Sequence, residues 1–120
     1  MLTGNHSTIK GKIVLVPFPF DDLTSSKMRP AVCLTNKIGP HQHVILAFIT
    51  SQIPEDQLDS DIILKSSDQD FNTTGLRISS TIRLHRLMTI STSLIKRELG
   101  RLSIKLQSEV DKKLRNLFEL

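Results

Sequence analysis

Over the first three quarters of the chain, apolar residues come in short runs broken by polar and turn-forming ones; near the end the period changes. Residues 12–18 (KIVLVPF), 30–36 (PAVCLTN) and 43–50 (HVILAFIT) are rich in Val, Ile and Leu and bounded by turn residues, which predicts three strands. Gly39-Pro40 lies between the second and third, so these two read as an antiparallel hairpin. A further run at 61–65 leads into SSDQDFNTTG, read as a loop, and 79–90 returns to a strand pattern. Strict alternation along that last strand sets Thr81, Arg83, His85 and Leu87 on one face and Ile82, Leu84 and Arg86 on the other. The count is about five strands, within the usual size of a sheet.

Toward the C-terminus, Leu106, Val110, Leu114 and Leu117 are spaced by three or four with Lys and Glu between them. This predicts an amphipathic helix with Ser103 as its N-cap. A short helical turn over 94–99, stopped by Gly100, is expected before it. Strands joined by short turns and closed by a terminal helix predict a mainly β fold, a small antiparallel barrel or strongly bent sheet. With neither repeats nor a linker, residues 1–120 read as a single domain.

Composition narrows the function classes only slightly. Sixteen Lys and Arg against 12 Asp and Glu give a formal charge of +4 and a pI near 9.5, which suits nucleic acid without requiring it. Cys33 is the only cysteine, so an intrachain disulfide is excluded, and no Cys/His spacing suits zinc. Its neighbours Ala31, Val32 and Leu34 predict a buried strand thiol. MLTGNHSTIK has no apolar stretch of signal-peptide length, and nowhere is there a membrane-length run, so a soluble cytoplasmic protein without membrane contact is expected.

Several residue groups are candidates for chemistry. In VPFPFDDLTSSKMRPA, Arg29 is held extended by Pro30 at the end of a polar loop, and its planar fork suits a phosphate; an ordinary solvated arginine is the alternative. In AFITSQI, Thr50 and Ser51 offer hydroxyls and Gln52 an amide just beyond an apolar strand, where such groups are also common as plain strand-end residues. In STIRLHRL, Arg83 and His85 are two apart. An imidazole beside a guanidinium suits ribonucleolysis, since neutral His takes a proton from a 2′-hydroxyl while Arg stabilises phosphate charge, although a strand histidine is more commonly a surface or packed residue. Phe18 and Phe20 are candidates for base stacking or for the core. His41 and His43 flank a turn and read as solvated, and Glu55, Asp56, Asp59 and Asp61 read as a solvated acidic face.

Taken together, GKIVLVPFPFDDLTSSKMRPAVCLTN, AFITSQI, GLRISSTIRLHRLMTI and LIKRELGRLS resemble the MazF/PemK family of toxin–antitoxin ribonucleases, from about Lys10 to the C-terminal helix. The resemblance implies an SH3-like barrel of the MazF/PemK/CcdB type and a homodimer. It also implies sequence-selective cleavage of single-stranded RNA without metal or cofactor, and inhibition by a cognate acidic antitoxin. On this basis residues 21–28 form a mobile loop, Arg29 aligns with the family's catalytic arginine, and Thr50 with its catalytic threonine in Ile-Thr-x-Gln. Arg83 fits an arginine that some members carry, and His85 stands where many relatives have Asp or Glu. Lys27, Ser51 and Gln52 are expected to contact RNA. The implied reaction is attack by a 2′-hydroxyl on its own phosphate to give a 2′,3′-cyclic phosphate. Arg29 and Thr50 would act on the phosphorane oxygens, and His85 or Arg83 would move protons. Two other functions share the fold: a CcdB-like toxin that binds DNA gyrase, and a relative that binds RNA or antitoxin without cutting.

Overall fold

The computed structural model describes residues 8–18 and 27–120. The expected loop at 21–28 lies outside these residues apart from Lys27 and Met28, as does Phe20. Among the described residues there are six strands, β1 (Lys12–Phe18), β2 (Lys27–Cys33), β3 (His43–Thr50), β4 (Asp61–Leu64), β5 (Ser80–Ser91) and β6 (Arg97–Arg101), followed by helix α1 (Ile104–Phe118). They form one antiparallel sheet in the order β4-β5-β3-β2-β1-β6, curled into a half-barrel. The mainly β class with a terminal helix is the one expected.

Period-two alternation divides the apolar residues between two cores, one on each face of the sheet. Ile13, Val32, Ala47, Ile49, Ile62, Ile82 and Leu84 face α1, whose Leu106 and Val110 are buried against them and whose Leu114 and Leu117 pack alongside. Val14, Val16, Phe18, Ala31, Cys33, Leu46, Phe48 and Ile90 make up the opposite core. Helix α1 starts as the sequence predicts: the Ser103 hydroxyl accepts the Leu106 N–H at 3.1 Å.

Three expectations need correction. Strand β2 begins at Lys27 and ends at Cys33, not at 30–36, because its first half pairs with β1 from Phe18↔Lys27 onward. Arg29 therefore lies inside a strand, opposite Val16, not on a loop. Residues 69–74, read as loop, form a 3-10 turn closed by Gly75 in the left-handed region at φ 74°. Finally, residues 94–99 are not a helical turn: a three-residue 3-10 turn, Thr92–Leu94, gives way to β6, which pairs with β1. Gly100 is thus no helix stop. It lets β6 pass against the Gln69–Thr74 turn, where a Cβ would collide with the carbonyl groups of Thr73 and Thr74.

Pro30 has a further effect on the sheet. Leu34 N–H donates to Ile45 O across to β3, so every second residue upstream, 32 and then 30, presents its amide to the same neighbour. Proline has no N–H to present, and the β2–β3 ladder ends at Ala31↔Phe48. Beyond that pair the side of β2 carrying Arg29 is released from β3.

Candidate active site

The face opposite α1 brings Arg29, Thr50 and Arg83 to one end of β3. Arg29 shares its face with Ala31 and Cys33, and continuing the β2–β3 register by two residues would set it across from Thr50. Its guanidinium carbon lies 5.5 Å from the centroid of the Phe18 ring, a cation–π arrangement, and Phe18 meets Phe48 edge-to-face at 4.5 Å. The buried Nε of Arg29 has no hydrogen-bond acceptor among the described residues. A donor held dry in this way costs stability unless something accepts from it.

At the same end of β3 is a cleft of about 160 Å³ lined by Phe48, Thr50, Gln52, Pro54, Arg83 and Arg86, a lining that does not include Arg29. The Thr50 Oγ1 accepts the Gln52 N–H at 3.2 Å, so its own proton remains available to an oxygen in the cleft. The Gln52 carbonyl in turn accepts from the buried Thr81 hydroxyl at 3.1 Å, which fixes the turn that follows β3. Ser51 and Lys27 are exposed, Ser51 next to the cleft in sequence but absent from its lining, Lys27 opposite Phe18.

Arg83 enters the cleft already paired. It is the direct cross-strand partner of Asp61, and its Nε donates to Asp61 Oδ1 at 2.9 Å. Asp61 Oδ2 accepts the Leu58 N–H at 3.0 Å. The carboxylate side chain is 0% exposed, so Asp61 does not belong to a solvated acidic face, although Glu55, Asp56 and Asp59 are exposed. Its hidden role depends on the β4–β5 register, which the sequence pattern did not supply.

The expected pairing of Arg83 with His85 on one face is not found. Between Ala47 and Phe48, adjacent on β3, the partners on β5 jump from Leu87 to Arg83, leaving Leu84, His85 and Arg86 as a bulge. Past the bulge the parity inverts: Leu87 pairs with Ala47 on the α1 face, while Met88 pairs with Leu46 on the opposite one. His85 lines a separate cleft of about 730 Å³ against α1, with Leu58, Glu109, Lys112 and Asn116 among its neighbours. Arg86, which alternation assigned to the far face, lines the cleft with Thr50. One sequence signal pointed that way: Arg86 is the single charge among Ile82, Leu84, Met88 and Ile90, even-numbered positions that are otherwise apolar.

Cys33 offers no nucleophile to this site. It is buried, and burial pushes its thiol up to about 11, Lys12 pulling down and Glu98 adding slightly to the rise. Among the described residues no group of three or more His, Cys, Asp or Glu could hold a metal ion, and no helix is long and apolar enough to cross a membrane.

The model of the PemK-like, MazF-like toxins of type II toxin–antitoxin systems matches residues 9–118. The chain belongs to this family. Solved structures share the toxin fold at low identity. Toxin MazF-mt6 of Mycobacterium tuberculosis is 22% identical, with a TM-score of 0.69, over 91% of this chain and 97% of that one. A MazE–MazF structure from Deinococcus radiodurans is 16% identical, with a TM-score of 0.71, over 97% and 99%. An endoribonuclease in complex with its cognate antitoxin, from a mycobacterial species, is 10% identical, with a TM-score of 0.69, over 95% and 97%. No curated protein matches the chain.

Proposed function

We propose that this toxin-family protein is a metal-independent endoribonuclease acting on single-stranded RNA in the cytoplasm. The observation that carries the reading is the convergence on one sheet face of Arg29, whose buried Nε has no acceptor among the described residues, and a cleft whose Thr50 hydroxyl proton is likewise uncommitted among them. The 2′-oxygen attacks the adjacent phosphorus and forms the P–O2′ bond as the P–O5′ bond breaks. The products are a 2′,3′-cyclic phosphate and a 5′-hydroxyl, which takes up a proton as the 2′-hydroxyl releases one.

Arg29 stabilises the charge on the phosphorane, and Thr50 donates to the same oxygens. Gln52, Ser51 and Lys27 guide the strand. Arg83, held by Asp61, shapes the cleft rather than moving a proton. No imidazole or carboxylate lines this cleft among the described residues, so His85 is given no part in proton transfer, and the rate enhancement rests on charge stabilisation.

The relatives solved with MazE or a cognate antitoxin support a similar partner here. An acidic antitoxin segment laid across Lys27, Arg29 and the cleft would compete with RNA, more weakly as salt rises. A homodimer fits the exposed Ile104, Phe118 and Leu120 on and just beyond α1.

The test is cleavage of a long single-stranded RNA in EDTA by wild type and Arg29→Ala. Removing a charge aimed at the developing oxyanion is expected to slow cleavage roughly a hundredfold or more. Equal rates for the two proteins, or loss of wild-type activity in EDTA, would refute the assignment.

A further inference from the structure

Of the guanidinium groups at the cleft, Arg83 has its charge matched by Asp61. Arg86 is exposed, and its side chain has no ion pair or hydrogen-bond partner among the described residues. The bulge on β5 costs sheet hydrogen bonds and buries nothing extra with Arg86, yet it turns that side chain to the Thr50 side and His85 to the α1 side. Among the described residues the lining it joins has a hydroxyl, an amide, a second guanidinium and an aromatic ring, and no carboxylate. At about 160 Å³ the cleft is well below the usual ligand pocket of roughly 300 Å³ or more, a size suited to a small anionic group presented by a longer chain.

We propose that Arg86 is a substrate-binding residue whose guanidinium grips a backbone phosphate of single-stranded RNA beside Thr50. This rests on the ribonuclease reading above and adds to it the residue that supplies free positive charge to the cleft. A planar fork gives two parallel bonds to phosphate oxygens, which an ammonium reproduces in charge but not in geometry. Because a phosphate contact is made in ground state and transition state alike, its loss falls on KM.

The experiment compares wild type, Arg86→Ala, Arg86→Lys and Arg86→Gln in EDTA. It measures steady-state cleavage of an RNA oligonucleotide, and fluorescence anisotropy with the same oligonucleotide carrying a 2′-deoxy sugar at the scissile position, both across a salt series. For Arg86→Ala the expectation is a KM about tenfold higher with kcat within about threefold. The slope of log affinity against log salt should become shallower by about 0.7, the value for one phosphate on a single strand. Lysine should restore the slope and part of the affinity, and glutamine neither. If wild type cleaves and Arg86→Ala matches it in KM and salt slope, the proposal is overturned while the ribonuclease reading stands. Loss of affinity with an unchanged slope, equal in the lysine variant, also overturns it, as a purely structural effect. Wild type that neither binds nor cleaves RNA would remove both.

Discussion

Arg83 can be read as a catalytic group from its place in the sequence, but its surroundings make it foremost a structural one. Asp61 is buried with two partners among the described residues, the Arg83 Nε at 2.9 Å and the Leu58 N–H at 3.0 Å. Arg83→Met keeps most of the aliphatic stem and removes the charge, so a fully buried carboxylate is left with one amide. Breaking a buried pair from one side costs about 3 to 5 kcal/mol, and this variant should fall in that range. Asp61→Asn is milder: its amide oxygen can still accept from Leu58, and the arginine, 23% exposed, can turn toward water, for a loss of about 1 to 3 kcal/mol. With both changed no unpaired charge is buried, and the double variant should be more stable than the sum of the single losses predicts, by about 2 kcal/mol. Urea unfolding followed by circular dichroism, with unchanged m-values, gives the four free energies of the cycle. Arg83→Met within 1 kcal/mol of wild type, or strict additivity, would refute the reasoning.

Two further outcomes follow from burial and close approach. Cys33 has a folded pKa of about 11 against an ordinary 9.0. Below pH 9 the thiol is protonated in folded and unfolded chains alike and stability is full; from there to about pH 11 the unfolded chain ionises first and stability falls. Wild type should therefore lose urea midpoint between pH 8 and 10.5 in excess of Cys33→Ala, and parallel curves for the two would contradict the shift. Gly100→Ala places a methyl group against the carbonyls of Thr73 and Thr74 and should destabilise by about 1 to 3 kcal/mol, checked by thermal unfolding, with an unchanged Tm counting against that contact.

Much of this architecture was legible in the chain, and what was missed has identifiable causes. β1 and β3 have the bounds the pattern predicts, because long Val/Ile/Leu runs ended by turn residues have only one way to bury a sheet face. The Ser103 cap and the buried stripe of α1 followed from spacing alone. β6 was missed because RELGR has no apolar alternation: an edge strand that pairs on one side, with every residue exposed or half-buried, leaves little pattern to read. Asp61 departs from the expected solvated face for a related reason. A carboxylate that begins a four-residue strand looks solvated until the partner strand sets Arg83 opposite it.

The cleft itself comes from two irregularities that meet at Phe48. On the β2 side, Pro30 withholds the amide that would carry the ladder past Ala31↔Phe48, so the β2–β3 pairing stops short of Arg29, just where Thr50 ends the strand. On the β5 side, the bulge of Leu84, His85 and Arg86 falls between the partners of Ala47 and Phe48 and brings the Arg86 side chain around. A regular β2–β3–β5 sheet would have closed over this end of β3 with hydrogen bonds and would have presented His85 alongside Arg83. Instead Phe48, which meets Phe18 edge-to-face and through it Arg29, lines the cleft. The same sequence position thus carries different chemistry depending on parity. A histidine counted two residues along a strand from Arg83 belongs to the helix side, and the arginine after it belongs to the cleft.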